Sequence, residues 1–200
     1  MHTTKKVCIF AKKKKTMEQV FIDYLDKFEE KMRKHLLQTA TSKGALDGKL
    51  LESDDLKDFW SRIEANYMAD AVPQIASYPT VSVAWATYLG MAAAYCWDVD
   101  WQTYKDTPYE GFYGDQGFDN MDDHIVRDIL RIPLDSEEAK QIVTLVQSLA
   151  HEAISLIRHE QIEPQSKMAF YAFYRACSAM FAIGTAIELK RLGYKFEKMQ

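Results

Sequence analysis

The sequence predicts an all-α fold, a single-domain bundle of five long helices and one short helix. Three observations predict it. Apolar residues recur at helical spacing along most of the chain. No strand-like alternation runs long enough to compete with that pattern. The interruptions, rich in Gly, Pro, Ser and Asp, leave segments of helix length between them. At 200 residues and 48% hydrophobic content, a sizeable core is within reach.

Residues 1–16 read as a disordered basic leader carrying Lys5, Lys6 and Lys12 to Lys15, with Met17 a candidate natural start. Residues 17–200 form the helical domain. The first helix, from Met17 to about Ala40, sets Val20, Phe21, Tyr24, Leu25, Phe28, Met32 and Leu36 on one face. Ser53, Asp54 and Asp55 open the second, with Leu56, Phe59, Trp60, Ile63 and Tyr67 inward and Pro73 kinking or shortening it. The third spans about 80–104. Asp119 caps a short fourth helix ending near Ile132, before Pro133. Asp135 and Glu138 form a capping box for the fifth, which runs to about Gln161. The sixth spans about 166–191 and ends at Gly193.

The third and sixth helices are nearly uncharged and are expected at the centre of the bundle. In the third, Ala86, Gly90, Ala93 and Trp97 line up; in the sixth, Met168, Ala172, Arg175, Ala179, Ala182 and Ala186 do. Small residues let helix backbones approach, so these two stripes are expected to face each other. Neither helix reads as a membrane span: the third is short of charge-free length, and the sixth carries Arg175 at its middle.

Arg175 is the only charge between Lys167 and Glu188. A guanidinium cannot shed its proton to escape burial, so an acid or water must meet it. Asp98 and Asp100 are the first expected partners, then Glu160 and Asp70. A structural ion pair and an anion-recognising pocket both satisfy that demand. The candidate pocket comprises Arg175, Asp98, Asp100, Trp97, Trp101, Tyr171 and Glu160, with His124 or His159 available for proton transfer or metal contacts.

From Tyr95 to His124, aromatic and acidic residues interleave. So aromatic a connector is expected to fold over a bundle end, as a satellite core, a lid or a partner surface. Its acids do not match a calcium loop. Cys8, Cys96 and Cys177 lack metal spacing and fit a reducing compartment, hence a cytoplasmic protein. No Glu-x-x-His pair, His-Glu-x-x-His, nucleophile elbow, phosphate loop or dinucleotide fingerprint occurs. His35, on the apolar face of the first helix, reads as a core histidine. Net charge is -4, and the six leader lysines leave roughly -10 on the rest, which disfavours nucleic acid for the folded body. The chain is expected to bind a protein partner or its own copy, without cofactor, metal or membrane. A pocket for a small anionic ligand, catalytic or not, is the alternative.

Overall fold

A computed structural model describes residues 16–195, and the expected leader up to residue 15 lies outside that range. Five long helices, α1 (Met17–Ser42), α2 (Asp54–Gln74), α3 (Pro79–Tyr104), α5 (Glu137–His159) and α6 (Lys167–Arg191), surround one core. The short α4 (Met121–His124) follows the connector, and no strand occurs among the described residues. Thr16, Ser136 and Ser166 cap α1, α5 and α6, each side chain accepting from the N–H three residues on. The fifth helix therefore starts on Ser136, not on an Asp135–Glu138 capping box, because Glu138 reaches across to Arg191 instead. It stops at His159, and Gly193 ends α6 with a φ of 96°. Pro73 lies inside the last turn of α2, one residue before its end.

The short helix differs from its expected form. A 3-10 turn, Gly117–Asn120, precedes it, so Asp119 is not its cap. Beyond His124 the chain continues as a π-helical turn, Ile125–Ile129, closed by the Leu130 N–H on the Ile125 carbonyl. In the first helix, Leu25, Phe28, Met32 and Leu36 are buried as expected, whereas Val20 is exposed. His35 is not a core histidine; it is half-exposed and bonds Glu152 of α5 at 3.1 Å.

Cross-helix pairs fix the directions. Asp26 and Glu29 of α1 meet Arg175, and Asp47 just beyond α1 meets Lys190, so α1 and α6 run the same way. Ser82 meets Cys177 and Thr87 meets Gly184, so α3 is also parallel to α6. Glu64 bonds Tyr174 while Trp60 packs on Phe181, which sets α2 antiparallel. Tyr24 and Lys31 meet Glu160, and His35 meets Glu152, which does the same for α5. All four long neighbours touch α6, and its contact with α3 is the most extensive among the described residues.

That contact is close enough to exclude a single methyl group. A Cβ on Gly90 would overlap the Phe181 carbonyl, and one on Gly184 would overlap the Thr87 carbonyl. The expected stripe on α3 is therefore placed correctly, through Gly90. The one on α6 is not: Gly184, Phe181 and Cys177 face α3, while Arg175 faces α1. Because α6 is enclosed on several sides, it carries small residues on more than one face, and alanine count picked the wrong one. The helix is long and apolar enough to cross a membrane, yet 67% of its most apolar window is buried among the other helices.

Backbone atoms cannot step aside as side chains do. Gly90→Ala and Gly184→Ala are each expected to lower stability by about 3 kcal/mol, at the upper end of overpacking costs, read from urea unfolding. A loss within experimental error for both would contradict the crossing.

Candidate binding surface

Arg175 does not meet its expected partners. Its two terminal nitrogens donate to Glu29 at 2.5 Å and Asp26 at 2.9 Å, both on α1, one turn apart. Glu29 also accepts from Arg33 at 3.1 Å, and Arg33 bonds Glu52, so the guanidinium belongs to an ion-pair chain along the α1 flank. Its side chain is 29% exposed.

The remaining candidates scatter. Asp98 accepts from the Tyr194 hydroxyl, and Asp100 caps Thr103 where α3 kinks. Trp97 donates to Asp55 and lies against Tyr194, while Trp101 packs on Phe59. Glu160 accepts from Tyr24 and Lys31, which hold its carboxyl below the usual range; burial first, then that same bond, push the Tyr24 phenol up to about 12. Asp70 accepts from Tyr113. His124 pairs with Asp128 and His159 with the Ser155 carbonyl, on separate elements. Only Tyr171 joins the cavity described below.

The one fully buried charged side chain among the described residues is elsewhere. Glu188 is 0% exposed and receives two bonds from Arg191, whose third nitrogen reaches Glu138. Burial raises the Glu188 carboxyl above its ordinary value, with Arg191 pulling the other way. Nothing in local sequence distinguishes an acid of an i, i+3 pair that is sealed from one that is solvated.

The connector is structural. Phe112 packs on Phe59, and Tyr109 and Phe118 pack on Tyr67. Trp85 donates to the Phe118 carbonyl at 2.6 Å, and Arg62 reaches Asp106 and the Lys105 carbonyl. Tyr109 and Phe112 are buried, so this segment is a second layer of core over α2 and α3 rather than an open loop.

An open groove of about 690 Å³ lies between the end of α2 and the start of α6. Ala65, Met68, Ala69, Val72 and Pro73 form one wall; Phe170, Tyr171 and Tyr174 form the other. The alanines keep the channel open because they leave little side chain to fill it. Val72 is 37% and Phe170 44% exposed. Tyr174 bridges the walls by donating to Glu64 at 2.5 Å; burial, and then this carboxylate, raise its phenol well above the ordinary value. Phe21 of α1 stands edge-on to Tyr171 at 5.6 Å, continuing the apolar surface. Sequence periodicity sets α2's inner face at Leu56, Phe59, Trp60, Ile63 and Tyr67 and carries no sign of the groove beside it.

Arg191→Met is expected to cost about 3 kcal/mol because it strands a buried carboxylate. Arg175→Met is expected to cost about 1 kcal/mol, since its partners are partly solvated and Glu29 keeps Arg33. A raised carboxyl in the folded state favours folding in acid, and that advantage is lost as pH rises through the raised value. The Arg191→Met deficit should therefore be widest near neutral pH and shrink below the ordinary glutamate value, read from urea unfolding at both pH values. Equal deficits for the two variants would contradict this assignment.

Compared with protein families, curated proteins and solved structures, the chain matches none.

Proposed function

We propose that this chain is a non-enzymatic, cytoplasmic binding protein whose α2/α6 groove receives an apolar helix of a partner protein. The carrying observation is the groove itself, with Val72 and Phe170 exposed at its lips above Met68, Tyr171 and Tyr174. A channel between two helices accepts a third whose apolar residues recur each turn. Contiguous exposed apolar surface of this kind marks interaction sites. Glu64 in the wall, on an acidic body, favours a helix carrying a basic residue beside its apolar face. A second copy of this chain is the alternative occupant.

Recognition of an anion through Arg175 has less support, because both of its terminal nitrogens are engaged with acids. Cys96 and Cys177 are free, buried thiols; burial pushes Cys96 up to about 11, which makes it inert and suits a reducing compartment.

Selection of a displayed library of helical peptides on the full chain tests the proposal. Apolar, basic helices should be enriched, and Val72→Asp or Phe170→Asp should weaken their binding about tenfold or more with little change in stability. Sedimentation at increasing concentration reports the alternative: reversible dimers abolished by the same variants would assign the groove to self-association. Peptides that bind variants and wild type alike would overturn both.

A further inference from the structure

A separate cavity of about 260 Å³ opens between α3, α4 and α5. Asp122 and Asp123 of α4 flank it, Tyr88 of α3 lines it, and Val126, Leu134 and Val143 supply apolar wall. Tyr88 is 2% exposed, and its hydroxyl has no hydrogen-bond partner among the described residues. That hydroxyl stands in the field of both carboxylates, which together with burial raise it above the ordinary phenol range. Asp122 is half-buried and meets only backbone N–H groups, with no cation beside it; loss of water, then the Asp123 charge, raise its carboxyl. Lys140, at the rim, gives its ammonium to Glu137 at 2.6 Å.

Elsewhere the molecule matches its buried acids to cations, as at Glu188 and Arg191. Here a desolvated acid and an unpartnered phenol share a cavity whose lining cation, Lys140, is engaged by Glu137. We propose that this cavity binds the primary ammonium group of a small alkylamine. An ammonium has three donors, and Asp122, Asp123 and the Tyr88 oxygen offer three acceptors. The alkyl stem packs on Val126 and Val143. Metal fits less well, because no group of three His, Cys, Asp or Glu side chains gathers among the described residues and hard cations need about six oxygens. The volume falls below the roughly 300 Å³ of drug-sized pockets, so the ligand is small.

Butylamine, butanol and butyrate titrated onto the full chain, followed by calorimetry and by the methyl resonances of Val126 and Val143, test this. Saturable butylamine binding is expected, with butanol and butyrate at least about tenfold weaker. Asp122→Asn should weaken butylamine about tenfold and Tyr88→Phe about threefold, while Val72→Asp leaves it unchanged. That last control keeps this site's failure distinguishable from failure of the groove. Equal binding of alcohol and amine, or unchanged affinity in folded Asp122→Asn, would overturn the proposal.

Discussion

The contact of Gly90 with the α6 backbone, and of Gly184 with the α3 backbone, governs the arrangement of everything else. Where two helix backbones touch, neither can rotate or slide without a clash, so their register is set by main-chain atoms rather than by adaptable side chains. The arrangement carries a cost. The Thr87 hydroxyl at this crossing is buried without a hydrogen-bond partner among the described residues. With α3 pinned on one side of α6, the remaining faces of α6 pass to α1, α2 and α5. Arg175 therefore points away from the tightest contact, toward α1, where Asp26 and Glu29 stand one turn apart to receive it.

The fold was legible in the sequence because most of its elements are strongly patterned. Phe59, Trp60, Ile63 and Tyr67 repeat at helical spacing and are all buried. Gly193 and Ser166 are placed as end signals should be. The candidate site was much less legible. On a helix that is apolar nearly all round, periodicity gives no angle, so the face of α6 that meets α3 could not be chosen. Arg175 drew attention because it is alone in the sequence, yet solitude along the chain says nothing about solvent. Glu188, surrounded by ordinary helix-end charges, is the acid that is sealed. Asp122 and Asp123 lie in a helix's first turn, where acids complement its dipole, so their position in sequence gives no sign of the cavity that Tyr88 shares with them.

Register explains the overhang at each end of the bundle. Ser82 meets Cys177 and Thr87 meets Gly184, an offset of roughly 95 residues between parallel helices. At that offset Pro79, the first residue of α3, stands level with Tyr174, so the first two turns of α6 extend about 10 Å beyond α3. Phe170, Tyr171 and Tyr174 lie in that overhang, beside the end of α2 and the start of α1. At the opposite end α3 outruns α6 in the same way, but there Tyr194 covers Trp97 and Phe59 covers Trp101. Trp97 and Trp101 in that overhang are packed by the chain's own aromatic residues, while Val99 and Tyr104 stay exposed. The other keeps Phe170 exposed with small alanines opposite, which is the disposition of a surface shaped to be covered by something else.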